Sequence, residues 1–417
     1  MDVNKIIRGD CLEELKKMGG NSIDAVVTDP PAGISFMGKE WDENKGGRDN
    51  WIKWMTEVMA ECLRVLKPGA HALVWALPRT SHWTTTAIEN AGFEVRDVVH
   101  HIFNTGFPKS LNVGKAVDKR MGNKREVVGE YKTHDIRNAG LMDKKGELKI
   151  TKTQGTSPYE GFGTALKPAC EHWILARKPL AEKTVAGQVL KTGTGGLDID
   201  GTRIPTKEII ESGRGNRKSE ENWGMKPKGM PNNTLGRFPA DVIVQDDALN
   251  DGMIEKDTGH FPNVIKSATQ FRSNQIQKEN FFEGSGSKSR YFDIDLWAEK
   301  NGILQIPKAA KSEKNRGLED MPNKKYDGRF NNGGEWKEME VLIGKNNHPT
   351  VKSITLMSWL IKLISKEDDI VLDPFAGSGT TLVAAKMLNR KFIGIEKEKD
   401  YCQIGEARLN VVPKTLV

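Results

Sequence analysis

Ile370-Val371-Leu372-Asp373-Pro374-Phe375-Ala376-Gly377-Ser378-Gly379-Thr380-Thr381 constrains this chain more than any other stretch. A short apolar run meets a turn holding two glycines, and an apolar segment from Leu382 to Leu388 follows, the order of strand, turn and helix. Gly377 and Gly379 let main chain approach a ligand closely. The next apolar run, from Lys391, ends in Glu396, at about the right distance to accept the two hydroxyls of a ribose. No Gly-Lys-Ser/Thr follows the turn, which argues against a phosphate-cradling loop. The pieces describe an adenosine-type site. Yet only 47 of the 417 residues lie beyond Ile370, too few for a doubly wound sheet of about six strands. The rest of that sheet must come from earlier sequence.

The N-terminal part offers the supply. Asp24-Ala25-Val26-Val27-Thr28 reads as a buried strand that stops at Pro30-Pro31. Trp51, Trp54, Met55, Val58, Cys62 and Val65 recur at helical spacing until Lys67-Pro68-Gly69, and Ala72 to Trp75 follows as a strand. Thr84 to Asn90 and then Phe93 to Phe103 repeat the order, and Glu171 to Ala176 reads as one more strand. Strands separated by helices predict an α/β fold with a Rossmann-like, parallel, helix-covered sheet. Ligands in such sheets bind beyond the carboxyl ends of the strands, so Asp29-Pro30-Pro31 and Asp373 to Gly379 are expected at one edge. From about Gly106 to Asn346 the rhythm is less regular, and Ser212 to Lys218 and Lys226 to Gly229 are too polar to bury. The expected division is an N-terminal part of the sheet over 1–180, an inserted region over 181–340, and a C-terminal part of the sheet over 341–417. That last part opens with Ile354, Met357, Ile361 and Ile364 on one helical face.

Composition narrows the partner class only slightly. Sixty-three Lys and Arg against 56 Asp and Glu give a net charge of +7, which suits a polyanion and equally suits a solvated basic surface. Cys11, Cys62, Cys170 and Cys402 form no C-x-x-C pair, so neither a disulfide framework nor a zinc ribbon is expected, and no metal. The first residues lack the layout of a signal peptide, and no run approaches the roughly 18 apolar residues of a membrane span. The expectation is a cytoplasmic protein without a membrane partner.

Asp29-Pro30-Pro31 suggests a reaction. The exocyclic amine of adenine or cytosine is a poor nucleophile because its lone pair is delocalised into the ring. Asp29 can accept one N–H and the Pro30 carbonyl the other, which directs the lone pair toward an electrophilic methyl group. Two prolines fix φ and remove competing donors. Preorganised acceptors of this kind stabilise the positive charge that develops on nitrogen.

Here the chain resembles the amino DNA methyltransferases that use S-adenosylmethionine, in the circularly permuted order that places the catalytic loop before the cofactor loop. The marks are Gly9-Asp10-Cys11, Thr28-Asp29-Pro30-Pro31, Gly33 to Asp42, Leu66-Lys67-Pro68-Gly69, His348-Pro349-Thr350-Val351-Lys352 and Asp373 to Gly379. Gly106 to Ser110 and Ala165 to Ala169 are similar to phage and prophage members. The resemblance implies that Asp373, Gly377 and Gly379 line the methionine part of the cofactor. It places Glu396 on the ribose and Asp10 on the adenine amine, with Cys11, Phe375 and Ser378 alongside. His348, Thr350 and Lys352 would close over the methionine end. Asp10 could equally begin a helix, and His348-Pro349 could be a turn.

One position departs from the family: an aromatic residue, usually tyrosine, is expected after the two prolines, and this chain has Ala32. That ring stacks on the flipped base, an interaction worth about 1–3 kcal/mol in comparable sites. Impaired turnover is therefore expected, with Ala32 a deliberate substitution or natural divergence. Phe36 or Trp41 is a substitute stacking group or a core residue. Double-stranded DNA is the implied partner, with Phe36, Lys39, Lys109, Lys308, Lys311, Lys314 and Arg316 as candidate DNA contacts. The resemblance leaves a homodimer and a companion restriction endonuclease open. Adenine N6 is the expected target. Cytosine N4, a cofactor-loaded DNA-binding protein without turnover, and RNA methylation are the alternatives.

Overall fold

The computed structural model describes residues 2–35, 40–103, 110–133, 148–204, 236–245, 255–256, 285–286, 303–306, 309–322, 324–332 and 335–413. Its strands are β1 (Lys5–Arg8), β2 (Ile23–Thr28), β3 (Leu66–Ala76), β4 (Glu94–Ile102), β5 (Glu126–Thr133), β6 (Leu148–Gln154), β7 (Cys170–Arg177) and β8 (Val242–Gln245). They continue with β9 (Glu255–Lys256), β10 (Ser285–Gly286), β11 (Leu304–Ile306), β12 (Lys324–Asn332), β13 (Glu335–Gly344), β14 (Ile370–Asp373) and β15 (Lys391–Glu396). The helices are α1 (Cys11–Lys16), α2 (Arg48–Val65), α3 (Ser81–Asn90), α4 (Val113–Met121), α5 (Val185–Thr192), α6 (Lys311–Asn315), α7 (Ile354–Ile364), α8 (Thr380–Met387) and α9 (Lys399–Asn410).

Nine strands form one sheet in the order β1-β15-β14-β2-β3-β7-β4-β8-β11. Every neighbouring pair is parallel except those of β7, which runs antiparallel to both β3 and β4. This is the expected Rossmann-like α/β sheet. The two C-terminal strands stand between N-terminal strands, with Val371 beside Ala25 and Leu372 beside Val26. β2 is buried along its whole length, as its nearly continuous apolar sequence requires of a strand covered on both faces.

Apolar layers cover each face. On one, Leu15 of α1, Met55 and Met59 of α2 and Ile88 of α3 pack against Val26, Val74 and Ile174. On the other, Leu360 and Ile361 of α7 and Leu382 and Ala384 of α8 pack against Ala25, Leu73 and Trp173. Burial of each Val, Leu, Ile or Met side chain among these stabilises the fold by roughly 1.5–3 kcal/mol.

Two local features differ from the sequence pattern. Lys67-Pro68-Gly69 ends α2, but the strand begins at once at Leu66 and runs through the proline. The ladder there is irregular, Ile23 lying opposite Leu66 and Ala25 opposite His71, and a bulge of this kind accommodates a residue without an N–H. β8 and β11, inside the region expected as an insert, extend the main sheet beyond β4. Ser212 to Lys218 and Lys226 to Gly229 lie outside the described residues. Among the described residues no helix is long and apolar enough to cross a membrane.

Candidate active site

The chain leaves β14 toward β15 on one side and leaves β2 toward β3 on the other. The carboxyl ends of β14 and β2 therefore flank a topological switch point, where the diverging connections open a crevice. Residues far apart in the chain meet there. The Thr28 hydroxyl donates to Asp373 Oδ1 over 2.7 Å, across a separation of 345 residues. The Phe375 N–H donates to the same oxygen over 3.1 Å, and the Thr381 hydroxyl donates to Oδ2 over 2.5 Å. Burial pushes the Asp373 carboxyl up to about 6, against the pull of these bonds.

The glycine turn forms one wall. Gly377 has φ 52°, and a Cβ there would lie 2.8 Å from His348 Nε2; Gly379 has φ 78°, with the Gly405 Cα 3.1 Å from where its Cβ would be. Both positions require glycine, because an L side chain is strained at positive φ and has no room. The Gly377 N–H donates to Glu396 Oε2 over 2.8 Å and the Glu398 N–H donates to Oε1 over 2.7 Å. Each carboxylate oxygen keeps a lone pair for a further donor, as a ribose diol requires. Burial raises the Glu396 pKa. From α9, the buried Arg408 braces the turn by donating to the Ser378 carbonyl over 2.6 Å and the Thr380 hydroxyl over 3.0 Å.

His348 lies between Trp41, whose ring centroid is 6.2 Å away and nearly parallel, and Tyr401, at 4.6 Å and edge-on. Burial, then the charges of Lys352 and Arg408, push its imidazole down to about 3, so it is neutral. The Thr350 N–H reaches His348 Nδ1 over 3.4 Å. Asp10 caps α1, its Oδ1 accepting from Leu12 N–H at 3.0 Å and Glu13 N–H at 3.4 Å. The helix-start role is thus observed, and one carboxylate oxygen carries both cap bonds. Cys11 follows it, its thiol pushed up to about 12 by burial and by Asp10.

The opposite wall carries the Asp-Pro-Pro loop. Asp29 Oδ2 lies 3.0 Å from Lys352 Nζ, which also stands 3.7 Å from Glu171 Oε1 and 4.4 Å from the Trp75 ring centroid. His101 Nδ1 closes the chain at 3.5 Å from Glu171 Oε2. Burial raises Asp29 to about 6, with Lys352 opposing and Glu171 adding to the rise. Burial would raise Glu171 as well, but Lys352 and His101 outweigh it and hold Glu171 down to about 2. Lys352 is raised despite burial, because both carboxylates favour its charge. This wall therefore pairs a carboxylate held low, Glu171, with one raised by burial, Asp29.

Both walls enclose a single cleft of about 1200 Å³. Its lining brings together Asp10, Cys11, Asp29, Pro30, Pro31, Ala32, His348, Thr350, Lys352, Asp373, Phe375, Gly377, Ser378 and Glu396. Gly379 serves instead as the N-terminal cap of α8. Lys311, Lys314 and Arg316 do not line this cleft; Lys314 lines a smaller cavity of about 160 Å³ with His101 and Glu171. Phe36, Lys39, Lys109 and Lys308 lie outside the described residues. Glu171, His101, Trp75 and Arg408 belong to the site and were missed in the sequence. Glu171 and Trp75 sit inside or beside apolar strand runs, so nothing in their spacing signals a pairing with Lys352.

A family model described as DNA methylase, covering N6 and N4 enzymes, matches residues 23–407. The type II methyltransferase M2.LlaDCHI of Lactococcus lactis subsp. cremoris is 50% identical over 78 residues, 19% of this chain and 28% of that protein. The type II methyltransferase M.HindIII of Haemophilus influenzae is 55% identical over 67 residues, 16% of this chain and 22% of that protein. The chain thus spans less than a third of the length of either relative. Among solved structures, the M1.HpyAVI–SAM complex superposes with a TM-score of 0.40 at 16% identity, covering 98% of this chain and 99% of that one.

Proposed function

The chain belongs to the N6/N4 DNA methylase family, and from that membership we propose that it methylates adenine N6 in double-stranded DNA with S-adenosylmethionine as donor. The observation that carries this reading is the meeting of the Asp29 loop and the glycine turn in one cleft, joined by the Thr28–Asp373 hydrogen bond. Glu396 would hold the ribose, the main chain around Gly377 the neighbouring part of the cofactor, Asp10 the adenine amine, and His348 with Thr350 the methionine end. When bound there, the cofactor supplies a methyl group carried on a positively charged sulfur.

The chain's own groups act on the base. Asp29, as carboxylate, accepts one amine N–H and the Pro30 carbonyl accepts the other, which turns the nitrogen lone pair outward. Lys352 bridges Asp29 and Glu171, so an arriving N–H that competes for Asp29 leaves the ammonium with Glu171 as counter-charge. Release of Asp29 therefore does not leave a buried charge unpaired. The base must first leave the duplex stack to reach this depth, and Ala32 presents only a methyl group where a stacking ring would face it. Impaired turnover follows. Residues 181–340 would contribute sequence recognition, and a companion restriction endonuclease would complete a type II pair.

Cytosine N4 is the second reading, because Asp29 and the Pro30 carbonyl treat either amine alike. Nucleoside mass spectrometry of DNA treated with the Ala32→Tyr protein and cofactor tests both. N6-methyladenine supports the reading, and N4-methylcytosine replaces it with the second. Appearance of 5-methylcytosine, or methylation of RNA or protein alone, overturns both. Equal rates for Ala32→Tyr and the parent chain would remove the impairment argument.

A further inference from the structure

His100 on β4 and Cys170 and His172 on β7 form a cluster that the reaction above does not use. In the antiparallel ladder His100 lies opposite His172 and Ile102 opposite Cys170. Directly opposed and alternate residues share a face of a sheet, so all three side chains rise from one face of the strand pair. His101 and Glu171 occupy the other. The two imidazole rings stand 5.0 Å apart and perpendicular, and Cys170 Sγ lies 3.9 Å from His100 Nδ1. One ligand atom from each residue lies within 4.8 Å of the other two.

A tetrahedral zinc site has Zn–S near ~2.3 Å and Zn–N near ~2.0–2.1 Å, so its ligand atoms stand about 3.3–3.6 Å from one another. Small rotations of half-buried side chains close the remaining gap. His100 and Cys170 line the cleft, which gives an ion a path in and leaves room for a solvent ligand. We propose that His100, Cys170 and His172 form a binding site for a divalent transition metal of the zinc class, with water as fourth ligand. One thiolate and two imidazoles suit zinc, cobalt or nickel, whereas magnesium and calcium require oxygen ligands that this cluster lacks.

The Cys170 thiol donates to the Glu171 carbonyl over 3.5 Å. On binding, that proton passes to solvent as the metal–sulfur bond forms. The ion would pin β4 to β7 at the cleft rim, directly behind Glu171. This assignment stands apart from the methyl-transfer reading.

Titration of the whole reduced protein with Co2+ alone tests it. One equivalent is expected to develop a sulfur-to-cobalt charge-transfer band and strong visible bands of tetrahedral cobalt, both removed by Zn2+. Cys170→Ser should abolish the charge-transfer band, and His172→Gln should weaken Zn2+ binding by more than about tenfold with unchanged circular dichroism. No band in the parent protein overturns the site. So does a band that survives Cys170→Ser, which would place the thiolate at Cys11, Cys62 or Cys402, or Zn2+ affinity unchanged in His172→Gln.

Discussion

Asp29 and Glu171 share one ammonium, and their surroundings push them in opposite directions, up to about 6 and down to about 2. Only ionised Asp29 accepts an amine N–H without offering a proton back. Transfer by the Ala32→Tyr protein should therefore fall as pH drops through about 6, measured as kcat/KM against pH. Glu171→Gln removes a negative neighbour that raises Asp29, so the acid limb should move to lower pH while the plateau stays within reach of the parent. Asp29→Ala should cost about 10²–10³ in rate, the loss typical of a preorganised electrostatic partner, with cofactor Kd nearly unchanged by calorimetry. Ala32→Tyr should raise the rate by about 5- to 100-fold, the equivalent of one recovered base stack. Asp29, Pro30 and Ala32 were legible because they are contiguous at a strand end. The Lys352–Glu171 pair was not, since charge pairing between residues 181 positions apart has no local signature.

At the scale of the element, the turn after β14 is built around two left-handed glycines. Gly377→Ala would strain the backbone and drive a methyl against His348, at a cost of about 1–3 kcal/mol. The expected outcome is a cofactor Kd weakened by about 5- to 100-fold, measured by calorimetry, with the sheet still formed by circular dichroism. Unchanged affinity would mean that the cofactor does not rest on this turn. The strand and helix pattern of both ends was readable, because buried parallel strands are continuous apolar runs and α2 and α7 carry a helical stripe. The reversed direction of β7 was not readable. A strand buried on both faces has the same composition whichever way it runs, and its partners alone decide its direction.

At the scale of the molecule, β1 pairs with β15 alone among the strands of the sheet, so it reaches β2 only through β15 and β14. A fragment ending at 369 loses both bridging strands together with α8 and α9. It should show no cooperative thermal transition, and addition of a separately made 366–417 segment should restore one, measured by calorimetry. A cooperative 1–369 fragment would contradict this dependence.

Local chemistry along the chain determined the pieces: an apolar run that can only be a covered strand, a turn that only glycine can make, an aspartate held beside two prolines. Their types follow from backbone sterics and side-chain polarity, which neighbouring residues specify. What no neighbourhood specifies is adjacency. The folded sheet alone set Thr28 against Asp373, gave Lys352 to Asp29 and Glu171 together, and gathered two histidines and a cysteine on one ladder. Burial and proximity across hundreds of residues set those distances and the carboxylate pKa values, and neither exists until the strands are paired.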